Sequence, residues 1–227
     1  MNSLNFVLFA AFPYLALFNA VVGTVWRFNR DRFSFSSISS QFLENRRLFW
    51  GSVPWHFGII IILLAHLIAF LFPGPWRRLL SNIHILTTLE VIGLALAVFA
   101  IVGILTLTWR RLTNPRVRAT SSVMDWVLLS LLITQVILGF WVALNYRWGA
   151  DWYMDTSVPW IGSLFTFQPK IEYVVDLPFI AKLHMLLGFG IIGLFPFTRL
   201  VHIISFPLRY LWRPLQVVIW NRHMGKV

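Results

Sequence analysis

The 227-residue chain contains no cysteine. Disulfides, thiolate zinc sites, cysteine-ligated iron–sulfur clusters and covalently attached c-type haem are therefore excluded, because each of them needs a cysteine sulfur. Any redox centre that this chain holds must use histidine, methionine or a weaker ligand.

Acidic residues are also scarce, with 8 Asp and Glu against 19 Lys and Arg and a formal net charge of +11. Such a balance is common in proteins that bind nucleic acid. Here, however, the basic residues lie between apolar runs and do not gather on one amphipathic face. We interpret them as loop charges that set membrane orientation, and we expect no nucleic-acid partner.

Charged residues of both signs make up only 12% of the chain, whereas 58% is hydrophobic, and the mean hydropathy is +0.74. A soluble domain of this length could not bury so much apolar surface, so lipid must be the solvent for much of it. Several apolar runs reach the roughly 20 residues that a helix needs to cross a bilayer. A transmembrane barrel would instead alternate apolar and polar residues. The composition predicts an all-α polytopic membrane protein.

The apolar runs predict five transmembrane helices in a single domain that covers 1–227, and we number them from the first span to the fifth. The connection between the fourth and fifth spans is rich in Trp, Tyr and Pro, and we expect it to lie against the membrane interface. The predicted spans cover about 4–26, 50–72, 84–109, 124–146 and 179–206.

The distribution of basic residues predicts the orientation of these spans. One side carries 5 Lys and Arg, and the other side carries 14. Because positive loops stay in the cytoplasm, we expect the N-terminus outside and the C-terminus inside. The 14 are Arg27, Arg30, Arg32, Arg46, Arg47, Arg110, Arg111, Arg116, Arg118, Arg199, Arg209, Arg213, Arg222 and Lys226.

Four of the six histidines lie on two of the predicted spans, with His56 and His66 on the second and His184 and His202 on the fifth. A histidine inside a membrane helix is costly and marks a candidate functional site, although a single one can also be a hydrogen-bonded packing residue. Without thiols or a membrane carboxylate cluster, zinc and di-iron sites are disfavoured. Two b-type haems held between the second and fifth spans, each by two histidines, fit the pattern.

Antiparallel spans pair His56 with His202 near the cytoplasm and His66 with His184 nearer the outside. At 1.5 Å per residue the two ligands are about 15 Å apart on the second span and about 27 Å apart on the fifth. We expect this mismatch to be absorbed by helix tilt, by oblique haem planes and by a kink at Pro196. The mean, about 21 Å, is the expected iron–iron separation along the membrane normal.

Other residues near these histidines are candidates for binding or packing. Gly58 and Gly188 leave room for a flat macrocycle, although small residues also gather where helices pack. Arg111 is the first candidate for a contact with a haem propionate, but arginines at the cytoplasmic ends also fit topology or binding to anionic lipid. The other arginines of this kind are Arg116, Arg118 and Arg199.

Of the two remaining histidines, His84 stands at the outer start of the third span, at the depth expected for the outer haem. A neutral imidazole there is a candidate acceptor for a quinol proton, and the alternative is an interfacial residue without chemistry. Glu90, farther along that span, is a candidate proton relay or a packed acid. His223 is expected to be a solvated residue.

The arginine-rich inner face with the tail 211–227 is the candidate docking surface for a partner. Attraction of the same arginines to anionic lipid is the alternative interpretation.

Several stretches resemble the gamma subunit of respiratory nitrate reductase, a dihaem membrane cytochrome b, over nearly the whole chain. The matching stretches are Pro13-Tyr14, Ser39-Ser40-Gln41, His56-Phe57-Gly58 with His66, Arg110-Arg111-Leu112, Pro115-Arg116-Val117-Arg118-Ala119-Thr120, Leu138-Gly139, Leu183-His184 and Pro196-Phe197-Thr198-Arg199-Leu200-Val201-His202-Ile203.

This resemblance implies a quinol-oxidising subunit in a prokaryotic cytoplasmic membrane, with quinol from the quinone pool as substrate. Electrons would pass from the outer haem site at His66 and His184 to the inner site at His56 and His202. They would then reach an iron–sulfur beta subunit and a molybdenum alpha subunit, which reduces nitrate on the cytoplasmic face. The family carries a lysine at the outer start of its third span, and this chain has Ile83-His84-Ile85 there, so His84 is the candidate replacement.

Two alternatives stay open at the level of the sequence. A related dihaem cytochrome b could serve a different redox partner, such as a nitrite oxidoreductase or a thiol/disulfide enzyme. A haem-free anchor or transporter could use the same histidines to line a polar path through the membrane.

Overall fold

The computed structural model of the protein describes residues 3–35, residue 43 and residues 46–205. Within these ranges the regular structure is entirely helical, and five helices are long and apolar enough to cross a membrane. The all-α, five-span prediction is therefore confirmed. The five spans are Ser3–Arg30, Arg46–Leu71, Ile83–Thr113, Val123–Asn145 and Phe179–Phe197.

The first span contains a π-helical turn at Val7–Ala11, directly before Pro13. Proline has no amide hydrogen, so it cannot donate to the carbonyl four residues earlier, which belongs to Phe9. The indole nitrogen of Trp160 donates to that carbonyl instead, at 2.9 Å. This buried bond joins the first span to the connection between the fourth and fifth spans.

The helices pack in the spatial order second, third, fourth, fifth, first. The second and third spans approach closely through glycines. A Cβ atom on Gly103 would lie 2.4 Å from the backbone nitrogen of Trp55, and one on Gly58 would lie 2.6 Å from the carbonyl oxygen of Leu96. The suggestion that Gly58 makes room for a macrocycle was therefore wrong, because its open side is filled by the third span.

The second and fifth spans, by contrast, do not pack on each other along their lengths in the described part of the chain. The second span packs against the third, and the fifth span packs against the fourth and the first. A space consequently separates the second span, which carries His56 and His66, from the fifth span, which carries His184 and leads to the turn with His202.

The fifth span ends sooner than the sequence predicted. Its α-helix covers Phe179–Leu194, and 3₁₀ turns follow at Phe195–Phe197 and Arg199–Ile203, on either side of the extended residue Thr198. Pro196 explains the break, since it removes an amide donor and clashes with the preceding turn. The bend at Pro196 is confirmed, but a continuous helix over 179–206 was wrong. The separations of about 27 Å and about 21 Å assumed that continuous helix and do not apply.

The connection between the fourth and fifth spans folds over one end of the bundle, and we call its residues 149–175 the cap. It contains the helices Gly149–Asp155 and Ser157–Phe165 and a 3₁₀ turn at Ile171–Tyr173. Two apolar clusters hold it in place, one around Trp160 and Phe9 and the other around Met154 and Leu86. The opposite end of the bundle, with Arg110, Arg111, Arg116, Arg118 and Arg199, is called the arginine end below.

Candidate haem sites

His56 and His202 face each other at the arginine end, across the space between the second and fifth spans. Their ring centroids are 6.1 Å apart, and the rings are inclined at 78°. A ring nitrogen that ligates a metal lies about 2 Å from it. Two imidazoles on opposite sides of one metal ion therefore have centroids about 6 Å apart, and the observed separation leaves room for one ion between these rings.

All four candidate histidines use Nδ1 in the same way. A carbonyl oxygen can only accept, so Nδ1 carries the hydrogen in each ring and the lone pair lies on Nε2. Histidines that ligate metals are typically held by such a bond from their second nitrogen. The carbonyl partners are Ser52 for His56 (2.8 Å), Ile62 for His66 (2.8 Å), Gln135 for His184 (3.1 Å) and Arg199 for His202 (2.7 Å).

His66 and His184 form the second pair, nearer the cap. His184 is close enough to His66 for the two imidazoles to repel each other when both are protonated. Its ring rests on Gly139 of the fourth span, where a Cβ atom would come within 2.9 Å of Cε1. Gly188, one turn along from His184, faces the side chain of Gln135, and a Cβ atom there would lie 3.4 Å from Nε2 of that amide. Gly139 therefore makes room for the His184 ring, and Gly188 makes room for the neighbouring Gln135 amide.

Tyr153 of the cap is a residue at this second pair that sequence reasoning missed. Its ring centroid is 5.3 Å from that of His66, and its hydroxyl donates to the His66 carbonyl at 3.4 Å. Burial raises the pKa of Tyr153 to about 12, so the phenol stays protonated at neutral pH. Its place depends on how the cap folds back, and no spacing in the sequence signals that contact.

A buried carboxylate organises the arginine end. Asp125 of the fourth span accepts two bonds from Arg199, at 2.6 Å from Nε and 2.8 Å from Nη2. Arg111, the predicted propionate partner, lies 3.3 Å from the same carboxylate and donates to Ser121 at 2.7 Å. The capping box of Ser122 and Asp125 begins the fourth span, and its sequence pattern could have indicated Asp125 as a structural residue. The pattern does not indicate the arginine partners of Asp125.

The structure does not bring His84 to the second pair. It is the second residue of the third span, it is exposed, and its ring makes no hydrogen bond or ring contact with any described residue. Glu90 is half-buried on the same span, and Arg116 and Arg118 are exposed on the short helix Pro115–Ala119. His223 and the tail 211–227 lie outside the described residues.

The donor set of both pairs fits b-type haem. In the described part of the chain, no group of three or more His, Cys, Asp or Glu side chains gathers as an all-protein metal site. Paired imidazoles suffice when a macrocycle supplies the remaining ligands. Beside His184, the buried Oε1 of Gln135 has no hydrogen-bond partner among the described residues, and a bound group that carries a donor would satisfy such an acceptor.

Comparison with known proteins identifies the family of this chain. Residues 5–221 match the family model described as nitrate reductase gamma subunit. The chain is 34% identical over 225 residues to the respiratory nitrate reductase 1 gamma chain of Escherichia coli, covering 96% of this chain and 98% of that one. It is 32% identical over 210 residues to the nitrate reductase gamma chain of Bacillus subtilis, covering 91% and 94%. It is also 30% identical to the nitrate reductase-like protein NarX of Mycobacterium tuberculosis, covering 89% of this chain and 32% of that protein.

Proposed function

We propose, because this chain belongs to the nitrate reductase gamma subunit family, that it is the quinol-oxidising membrane subunit of a respiratory nitrate reductase complex. In this proposal it holds two b-type haems, one between His56 and His202 and one between His66 and His184. Its catalytic partners are an iron–sulfur subunit and a molybdenum subunit, on which nitrate is reduced.

The observation that carries the proposal is the geometry of His56 and His202. Their rings face each other at 6.1 Å across the space between the second and fifth spans, and the Nδ1 atom of each ring is held by a carbonyl. The carbonyl bonds occupy both Nδ1 atoms, so each ring keeps an unprotonated Nε2, and an unpaired polar atom in an apolar setting is costly. Two ligands for one bound metal ion would account for the close approach of these rings.

A bound haem supplies one-electron chemistry at its iron, and the chain supplies position and surroundings. The four Nδ1 bonds fix the rings and increase the basicity of the Nε2 atoms. The third and fourth spans close one side of the gap, and the cap covers the end near His66 and His184. In this proposal the two haem sites are separated along the membrane normal.

The basic residues predict the orientation of this arrangement, since the sequence assigns 14 of them to one side of the membrane and 5 to the other. We infer that the arginine end faces the cytoplasm of a prokaryotic cell and that the cap faces outward. Oxidation of one quinol near the cap releases two electrons and two protons. The protons leave on the outer side, and the electrons go to the partner subunits docked at the arginine end.

Quinol-driven reduction tests the proposal directly. The complex is purified in detergent from membranes, oxidised, and mixed with a short-chain quinol while its optical spectrum is followed. We expect the absorption band of reduced b-type haem to rise, and we expect a molybdenum-containing subunit to co-purify. A haem band without a molybdenum partner would indicate a related cytochrome with a different acceptor. The absence of any haem band would leave an anchor or transporter.

His84 is proposed as the proton acceptor of the quinol site, and its position gives a sharp test. Because its ring contacts no other described residue, His84→Ala should leave haem content and folding intact. Quinol-driven reduction should fall at least about tenfold, since a general base typically contributes a rate factor of about 10² to 10⁴. Thr87→Ala, a change one turn along on the same exposed surface, is the matched control. An unchanged rate in His84→Ala would make His84 a bystander.

A further inference from the structure

His202 sits on the least regular segment of the bundle. Unlike the other three candidate ligands, it belongs to a 3₁₀ turn, Arg199–Ile203, which follows the break at Pro196. Its Nδ1 atom donates to the carbonyl of Arg199 within the same turn, at 2.7 Å. The direction of the His202 ring therefore depends on where the backbone of Arg199 is held.

The side chain of Arg199 is held by a neighbouring span. Nε and Nη2 donate to the two carboxylate oxygens of Asp125, at 2.6 and 2.8 Å, and Nη2 also donates to the carbonyl of Thr120 at 3.2 Å. Such a two-point bond fixes the guanidinium in orientation as well as in distance. Asp125 is itself nearly inaccessible, with a side-chain exposure of 5%.

The carboxylate is in turn fixed to the fourth span. Asp125 accepts from the backbone nitrogen of Ser122 at 2.9 Å, and the Ser122 hydroxyl accepts from the backbone nitrogen of Asp125 at 3.2 Å. This capping box ties the carboxylate to the start of a long helix. A continuous chain of bonds thus runs from the fourth span through Asp125 and Arg199 to the ring of His202.

We propose that Asp125 is a positioning residue for His202, acting through Arg199, and that it sets the geometry of the inner haem site alone. The inference rests on the proposed function, since it assigns His202 as a ligand. The outer pair is independent of this chain of bonds, because His184 is oriented by Gln135 and His66 by its own helix. The carboxylate also keeps its two arginine neighbours, Arg199 and Arg111, from lying unpaired beside the site.

Low-temperature EPR of the purified complex, combined with haem quantification, tests this inference. Asp125→Asn removes the charge and weakens both bonds, and Arg199→Lys keeps the charge but loses the two-point geometry. If Asp125 positions the ligand, both variants shift or broaden the low-spin signal of the inner haem or lower its occupancy, while the outer signal stays unchanged. Asp155→Asn is the control. It breaks an exposed ion pair between Asp155 of the cap and Arg77 of the helix Pro73–Leu80, and it leaves the inner signal intact.

Each of the following outcomes either contradicts the inference or is decided by the second variant. An inner signal that is unchanged in Asp125→Asn would show that the carboxylate is dispensable. A signal that shifts in Asp125→Asn but not in Arg199→Lys would show an effect of charge and not of position. Loss of both haems in Asp125→Asn would leave the decision to Arg199→Lys, in which an intact inner signal overturns the proposal. A wild-type complex without haem would refute the proposed function itself, and this distinguishes the two failures.

Discussion

The two histidine pairs are built in different ways. The pair nearer the cap, His66 and His184, lies on regular α-helices, and glycine makes room for one of its rings. In the pair at the arginine end, His56 is on a regular helix but His202 is on a 3₁₀ turn beyond a proline break. The first pair depends on helix packing, whereas the second depends on polar bonds that hold an irregular segment.

Two arginines stabilise that irregular segment, one at the start of the 3₁₀ turn and one on the first span. Arg199 is held by Asp125 of the fourth span, and Arg27 of the first span donates to the carbonyls of Pro196 and Thr198, at 2.5 and 3.3 Å. The Pro196 carbonyl lies where the first 3₁₀ turn has ended, and the Thr198 carbonyl lies at the cap of the following turn. The contrast indicates that substitutions should affect one pair at a time, and that polar ones should act mainly at the arginine end.

The largest expected effect comes from removing a ligand. His202→Ala should abolish the low-spin signal of the inner haem and leave the outer one, and His66→Ala should do the reverse, because each haem has its own two imidazoles. Haem content per chain, measured as the pyridine complex, should fall by about half in each variant. Loss of the outer signal from His202→Ala, with the inner signal retained, would refute the assignment of the pairs.

A second large effect is expected from Arg27→Gln. The substitution removes a charged donor from the carbonyls of Pro196 and Thr198, and it should destabilise the segment around Pro196 by about 2 kcal/mol. On mild heating the inner haem should be released at a lower temperature than in the wild type, and the outer haem should follow its usual course.

Arg30→Gln provides the matched control for that change. Arg30 is exposed, and its guanidinium lies 5.6 Å from the Trp26 ring centroid, a contact that contributes little at a solvent-exposed site. Equal loss of both haems in Arg27→Gln would mean that Arg27 supports the whole bundle and not the inner site.

A smaller effect, confined to the outer pair, is expected from Gly139→Ala. The added methyl would come within 2.9 Å of the His184 ring, so the ring must turn or move. The low-spin EPR signal of the outer haem should shift, without loss of the inner signal. Gly93→Ala is the control, since nothing lies within 4 Å of its added Cβ. If the two variants give identical spectra, the close contact at Gly139 is not restrictive.

The smallest effect is expected from Tyr153→Phe, which removes a hydroxyl that makes one long bond. Burial raises the folded-state pKa of this phenol from 10.0 to about 12. Between these values the unfolded chain loses the proton while the folded chain keeps it, so this residue lowers stability as pH rises through that window. Ultraviolet titration should show one late tyrosinate that is absent from Tyr153→Phe. Ionisation of Tyr153 near the ordinary tyrosine pKa of 10.0 would contradict the described burial.

Much of the fold could be predicted because hydropathy and loop composition act locally. The first four predicted spans agree with the structure to within a few residues, and the prediction of a bend at Pro196 was right. The end of the fifth helix was missed, since a window of apolar residues does not show that proline ends the helix there. The association of His56 with His202 was also foreseen from antiparallel topology, and their rings do meet.

The supporting residues could not be predicted, because their roles arise from contacts between distant parts of the chain. Asp125 and Arg199 are 74 positions apart, and the Tyr153 hydroxyl meets the His66 carbonyl across 87 positions. Single-sequence periodicity says nothing about such pairs. Gly58 shows the opposite error, since a small residue near a ligand suggested space for a cofactor although it allows two helices to touch.

In the proposed arrangement one chain holds two haem irons. Each iron lies between an imidazole of the second span and an imidazole of the fifth span or of the 3₁₀ turn that follows it. EPR of the oxidised wild-type complex at liquid-helium temperature, with haem quantified per chain, tests it most directly. We expect two haems and two distinct low-spin ferric signals, both typical of paired histidine ligands. One haem, a high-spin majority or no haem at all would contradict it.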